Sequence, residues 1–384
     1  MSDVSQRVRR WLDREALVAE LVELVELETP SHDLDASARI ATVLANVWGQ
    51  FGEVRLEPTL AGTHLLMDIA PVASAAAPVL LLGHSDTVWP RGTLDGPVPM
   101  KVESHTVRGP GAYDMKSGLV VMAAAVRALA ALNLPHPPIR VLIAADEEVG
   151  STAATPLVRQ ACTGVGAVVG FESPHPDGAL KVGRLGSTRV RLEVRGREAH
   201  AALDPERGIS AIEELVDQLV QLRSRMAAVQ ARRPGEILVN VGAISGGGRT
   251  NVVPGAAAAL IGFRFLTAAA EAEVMAELTG LIPVRAGAEL EVSVLSSRPA
   301  WQASAADLEF LERVAALAAP GRIEVSGRRA AGAADTNTTG ALGVPTLDGF
   351  GPRGGGAHAV SEHILIDSLL ERAVLLTTVL AGLA

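Results

Sequence analysis

The sequence predicts an α/β domain with a mostly parallel sheet, interrupted by an inserted α+β domain. Three observations predict it. Short, wholly apolar runs alternate with helical patterns, as in parallel sheets buried on both faces. Over residues 186–297 the runs change to apolar/charged alternation, as in a sheet with one open face. The chain has 384 residues, more than one hydrophobic core usually supports.

Each element follows in order. Over residues 4–27 apolar residues recur at helical spacing: Val8, Trp11 and Leu12, then Leu17, Leu21, Val22 and Val25. Thr29-Pro30-Ser31 closes that helix, and a second is expected over residues 35–51. Val79-Leu80-Leu81-Leu82 stops at Gly83 and reads as a buried strand. Residues 118–132 read as a helix, 139–145 as a second buried strand and 167–170 as a third. Then Val190, Leu192 and Val194 alternate with Arg189, Arg191, Glu193 and Arg195, the pattern of a half-exposed antiparallel strand. Residues 209–226 form an amphipathic helix pattern, and 237–244, 257–265 and 290–295 read as further strands. The Ala-rich stretch 268–272 reads as a helix start. The α/β style resumes near Arg298-Pro299. The expected domains are residues 1–185 with 298–384, and an inserted 186–297.

Composition excludes several classes. The chain is 48% apolar and only 3% aromatic, which suits a large globular protein rather than a disordered one. A net charge of −9 without a basic block argues against a nucleic-acid partner. Cys162 is the only cysteine, so no intrachain disulfide forms, and it reads as a small core residue. Residues 1–14 are charged, without the apolar region of a signal peptide, and the apolar stretches are too short to span a bilayer. The expected setting is cytoplasmic, with no membrane partner.

Five places could carry chemistry. Gly83-His84-Ser85-Asp86 ends a strand, and residues two apart there share a side. Asp86 can then orient His84 while the other ring nitrogen faces a metal. Alone, this reads equally well as a solvated strand end. Asp114 follows a Gly/Pro-rich turn and could bridge two metals; alone, it reads as a helix cap. Asp146-Glu147-Glu148 places three carboxylates after an apolar strand, which is costly unless a cation or shared proton compensates. Adjacent side chains diverge, so Glu147 and Glu148 can do different jobs. Glu172 follows the third strand, and His358 lies after Gly354-Gly355-Gly356. The weight lies in position: His84, Asp86, Glu147, Glu148 and Glu172 all follow C-terminal ends of predicted parallel strands, where open α/β sheets bind ligands. Ser245 to Thr250 lacks the lysine and spacing of a phosphate loop, and Ser85 has no base placed to make it a nucleophile.

These motifs, in this order, resemble the zinc-dependent aminoacylases and glutamate carboxypeptidases, with acetylornithine deacetylase and succinyl-diaminopimelate desuccinylase as relatives. The resemblance spans nearly the whole chain. Beyond the five places it includes Gly196-Arg197-Glu198-Ala199-His200-Ala201, Asn251-Val252-Val253-Pro254 and His358-Ala359-Val360-Ser361-Glu362. It implies two zinc ions per chain, with cobalt or manganese able to substitute. His84, Asp114 and Glu172 would hold one; Glu148, His358 and the bridging Asp114 the other. Asp86 would orient His84 and Glu147 would be the general base. His200 would reach the substrate carbonyl across a dimer. Asn251 and Arg264 would bind substrate, Arg264 at its terminal carboxylate. The inserted domain would be lid and dimer interface. The chain departs from the family pattern at Ser117, where a glycine is usual, at Ala334 before Asp335, and at Ser173-Pro174 after Glu172.

The implied chemistry is amide hydrolysis. Two zinc ions about 3.5–4 Å apart lower the pKa of a shared water toward ~7, and Glu147 moves its proton to the departing amine. A zinc and His200 would stabilise the oxyanion. The favoured substrates are N-acyl amino acids or C-terminal, glutamate-type peptides. An N-acetyl or N-succinyl diamino acid deacylase comes next, then a dipeptidase. A catalytically silent binding protein on this scaffold should lack the base or a bridging ligand, and both are here. A dinuclear phosphoesterase would share the metal logic, but the order of motifs speaks against it.

Overall fold

The computed structural model describes residues 4–384; the first three residues of the charged N-terminal segment lie outside the described residues. The chain divides into two compact units, Met1–Arg184 with Ala303–Ala384, and Leu185–Gln302.

The first unit is built on a six-stranded sheet. Its spatial order is Val54–Thr59, Gly62–Ile69, Ile139–Ala144, Val79–His84, Ala167–Gly170 and Thr346–Leu347. The first two strands pair antiparallel, and Gly62–Ile69 is antiparallel to Ile139–Ala144. The remaining pairings are parallel. Successive side chains on a strand take opposite faces, and here both faces are covered. Leu81, Val141 and Val169 join a core with the helices Ser117–Ala131 and Ile366–Gly382. Leu80, Leu82, Leu142 and Val168 pack with Val158 and Ala161 of the helix Ala154–Ala161. Two covered faces explain why these strands read as unbroken apolar runs.

The single helix expected over residues 4–27 is two, Val4–Trp11 and Arg14–Glu26. Asp13 makes the break. Its carboxylate accepts the N–H groups of Glu15 and Ala16 and caps the second helix. The helical period continues across the break, so periodicity alone did not expose it.

The second unit is a four-stranded antiparallel sheet, ordered Ile237–Gly246, Ala256–Phe265, Gly186–Arg195 and Glu289–Arg298. The helices Ala211–Arg232 and Ala268–Thr279 bury Leu215, Leu222, Val274 and Leu278 with Val190, Leu192, Phe263 and Phe265. Among the described residues, no helix is long and apolar enough to cross a membrane.

Candidate metal centre

The acidic and imidazole groups gather at the strand ends of the first unit. His84 is the last residue of Val79–His84 and is buried. Its Nδ1 lies 3.0 Å from the main-chain carbonyl of Asp86 and 3.3 Å from the Asp86 carboxylate. The sequence pointed to the carboxylate alone. The carbonyl is nearer, and the carboxylate is also engaged elsewhere. It accepts the N–H groups of Glu147 at 3.0 Å and Glu148 at 3.2 Å, and the Ser31 hydroxyl at 2.7 Å. Asp86 thereby ties the strand end of His84 to the turn that carries the acidic pair. Burial works against its charge, but His84, Ser31 and the Glu147 N–H hold its pKa below the usual carboxylate value.

Asp114 lies between two imidazoles. Its Oδ1 is 3.3 Å from His84 Nε2, and its Oδ2 is 3.2 Å from His358 Nε2. Each of these Nε2 atoms meets one further carboxylate: Glu172 at 3.4 Å from His84, and Glu148 at 3.2 Å from His358. Glu147 also offers an oxygen within 4.8 Å of ligand atoms on His84 and Glu172. His358 holds φ at +60°, an uncommon conformation for a residue with a side chain.

The loop that delivers Asp114 is tightly held. Gly111 has φ +72°, and a Cβ there would come within 2.5 Å of Thr87. The peptide bond between Asp114 and Met115 is cis. The buried Glu362 carboxylate accepts the N–H groups of Gly111, Tyr113 and Asp114 at 2.9–3.1 Å, and the Trp89 indole at 2.6 Å. Glu362 carries no role in the sequence reading, although it lies in the run that begins at His358. Asp348 does the same for Glu172. It accepts the Glu172 N–H at 3.2 Å, the Thr336 hydroxyl at 2.7 Å and the Arg184 guanidinium at 2.6 Å. No motif marks Asp348. Ser117, the departure from the family pattern, is fully buried and its hydroxyl has no hydrogen-bond partner. Next to it, a Cβ on Gly118 would meet the Phe171 carbonyl at 2.4 Å.

The electrostatics call for cations. Burial opposes a charge on His84, yet Asp114, Asp86 and Glu172 hold its pKa well above the ordinary imidazole value. Asp114 and Glu148 push His358 up to about 10. Burial works to raise Asp114, but His358 and His84 pull it well below the usual carboxylate range, whereas burial raises Glu148. Metal ions compete for the same lone pairs as these protons. Two buried atoms of the cluster, His84 Nε2 and Glu148 Oε1, make no hydrogen bond. Mixed imidazole and carboxylate donors suit zinc and its divalent neighbours. The residues present therefore fit divalent metal binding, in two overlapping groups that share His84: His84 with Asp114 and Glu148, and His84 with Glu147 and Glu172.

The other sequence candidates lie in the second unit. His200 pairs with Val252 across a short ladder, and the Asn251 carbonyl accepts the Ala201 N–H at 2.9 Å, so His200 and Asn251 are neighbours. The His200 ring is exposed, and its Nδ1 accepts the N–H groups of Ala202 and Leu203. Arg264 stands on Ala256–Phe265 opposite Ser187, whose hydroxyl it bonds. Arg298 faces Ser187 from the other side, and Arg189 is two residues along the same strand. Burial and these two arginines lower the Arg264 pKa. Elsewhere, Cys162 is buried, and burial pushes its thiol up to about 11, in keeping with an inert core residue.

The comparisons point one way. The sequence profile of Peptidase family M20/M25/M40 matches residues 80–382. Carboxypeptidase G2 of Pseudomonas sp. (strain RS-16) is 25% identical over 373 residues, 94% of this chain and 87% of that protein. A putative succinyl-diaminopimelate desuccinylase of Mycobacterium tuberculosis is 29% identical over 312 residues, 79% of this chain and 82% of that one. In fold, an M20 family metallo-carboxypeptidase of Sulfolobus solfataricus superposes with TM-score 0.73 at 16% identity, over 96% of this chain and 98% of that one.

Proposed function

This chain belongs to Peptidase family M20/M25/M40 and is a hydrolase of the metallopeptidase and deacylase kind, and from that premise we propose that it cleaves amide bonds of N-acyl amino acids or C-terminal, glutamate-type peptides. The observation that carries this reading is the shared carboxylate. Asp114 contacts the Nε2 atoms of two imidazoles, and each of those atoms meets one further carboxylate, Glu172 at His84 and Glu148 at His358. That arrangement matches two neighbouring cation sites with one bridging ligand. His84, Asp114 and Glu172 would hold one zinc ion, and Asp114, Glu148 and His358 the second. Such a pair supplies Lewis acidity for an amide carbonyl and makes a nearby water acidic. Glu147 takes the proton from that water and passes it to the nitrogen as the C–N bond breaks, leaving a carboxylate and an amine. Asp86 fixes the His84 ring and the main chain of Glu147.

A substrate bearing a free carboxylate is favoured by the arginines around Arg264. A guanidinium presses its planar donors on a carboxylate, and two like neighbours strengthen the pull. Asn251 would add a polar contact. Relatives named as carboxypeptidase and as succinyl-diaminopimelate desuccinylase support a hydrolase of this kind. A deacylase of N-acetyl or N-succinyl diamino acids is the alternative within the same chemistry.

The proposal includes a homodimer through the second unit. Its edge strand Ile237–Gly246 exposes Leu238 and Ile244, the latter 64% exposed, and its helix Ala211–Arg232 exposes Val216 and Val220 on one stripe. An open strand edge beside apolar side chains is a ready template for a second copy. His200 would then serve the partner's site. We keep with this the cytosolic setting, where the lone Cys162 needs no oxidising compartment. The test is a screen of N-acyl amino acids, γ- and α-linked glutamyl conjugates and dipeptides with zinc-loaded protein, reading amine release. Turnover of carboxylate-bearing amides is expected. Turnover of only carboxylate-free amides would overturn the role of Arg264.

A further inference from the structure

Away from the metal residues, the first unit holds a cavity of about 210 Å³ whose lining is rich in arginine. Arg9, Arg322, Arg353 and Arg372 reach it, and three carboxylates share the lining. Two of these carboxylates are spent: Asp177 pairs with Arg328 at 2.7 Å and Glu371 with Arg353 at 3.2 Å. Against Glu324 alone stand Arg9, Arg322 and Arg372, none of which has a carboxylate within ion-pair distance among the described residues.

Arg372 is the anomaly. It stands on Ile366–Gly382 with 8% of its surface exposed. Its guanidinium makes one hydrogen bond, to the Gly178 carbonyl at 2.6 Å. Five N–H donors belong to that group. A buried charge without a counter-ion is costly, and native chains bury charges in pairs or on ligands. Burial and Arg353 push its pKa down to about 10, against the pull of the Glu371 charge, which forms its ion pair with Arg353 instead.

We infer that this cavity binds a small, multiply charged oxyanion of the phosphate class, with Arg372 as its buried anchor. A planar guanidinium offers paired donors that match the oxygens of such an ion. Arg9 and Arg322, at the exposed rim, would neutralise the remaining charge. The Gly178 turn is drawn close for this: it has φ +91°, and a Cβ there would sit 3.3 Å from both Arg372 Nη2 and Arg353 Cδ. The contrast with the larger cavity of about 750 Å³ at Arg55, Asp68 and Arg140 is direct. There Arg140 pairs with Asp68 at 2.9 Å and bonds two carbonyls, so its charge is answered within the chain. The whole chain carries −9, so general attraction of anions to its surface would not fill the arginine cavity; a specific site would.

The test is calorimetric titration of the zinc-loaded protein with inorganic phosphate at fixed ionic strength, with succinate as a second arm. Phosphate should bind saturably and more tightly than succinate. Arg372→Gln should weaken phosphate binding at least tenfold. The double variant Arg9→Gln/Arg322→Gln, changed only at exposed positions, should weaken it severalfold and leave amide hydrolysis in phosphate-free buffer unchanged. If Arg372→Gln fails to fold, the double variant decides alone. No saturable phosphate binding, affinity unchanged in the variants, or succinate binding more tightly than phosphate would each overturn the inference.

Discussion

Glu147 and Glu148 are neighbours in the chain with divergent surroundings. Both donate their N–H groups to Asp86, which fixes the main chain and sends the side chains apart. Glu148 meets His358 and also groups with His84 and Asp114, while Glu147 offers one oxygen to His84 and Glu172. The Glu147→Gln change keeps size and leaves the proposed ligands in place. Loss of a general base costs about 10²–10⁴ in rate, so turnover should fall by at least that factor at unchanged metal content. Turnover within tenfold of the parent would show that the base is another group. These residues were legible in sequence because each follows a buried strand that ends where a ligand site belongs. Glu362 and Asp348 were not. Glu362 acquires its role from N–H groups about 250 positions away, and only the folded chain brings a carboxylate to three main-chain donors at once.

Elements were legible in proportion to how much their packing marks the sequence. Val79–His84 and Ala167–Gly170 are buried on both faces and read as apolar runs; Gly186–Arg195 has one open face and alternates. Val54–Thr59 carries Arg55, Glu57 and Pro58 at the sheet edge and has no apolar run to read. Ile366–Gly382 is buried nearly all round, so it has no amphipathic period. One loop in the second unit depends on a single carboxylate. Glu214, fully buried, accepts the N–H groups of Val284 at 2.9 Å and Arg285 at 2.8 Å and the Gln218 amide at 2.7 Å. Burial works to raise its pKa, but these donors and the Arg285 guanidinium bring it below the ordinary value. A carboxylate depressed in this way contributes stability above its unfolded pKa, and that stability is lost as pH falls through the folded one. Glu214→Gln should therefore destabilise the chain by about 1.5–3 kcal/mol at neutral pH, the usual worth of hydrogen bonds to a charged group. Melting curves should show the difference narrowing as pH drops below about 4. A difference that widens on acidification would contradict the assignment.

At the scale of the whole molecule, two proposals meet: composite sites in a dimer, and a pair of metal ions in each site. If His200 serves the partner's site, Glu147→Gln and His200→Ala proteins are each inactive alone and revive when their subunits exchange. About half of randomly mixed dimers carry both variants, each with one intact site, so recovery should approach roughly a quarter of the parent activity by two-fold symmetry. No recovery despite proven exchange would confine His200 to its own chain or remove it from catalysis. The second unit stands out in sequence because its residues change from unbroken to alternating apolar patterns; the exposure of Ile244 and Val220 does not, because the strand and helix patterns over 237–244 and 209–226 say nothing of which apolar residues stay uncovered. The most direct measurement is a zinc titration of chelator-treated protein, following amide hydrolysis and bound metal together. Activity should be absent without metal and return with added zinc, saturating as the content reaches two ions per chain, with Asp114→Asn retaining less than either site requires. Full activity in the metal-free protein would contradict the assignment of His84, Asp114, Glu148, Glu172 and His358 as ligands.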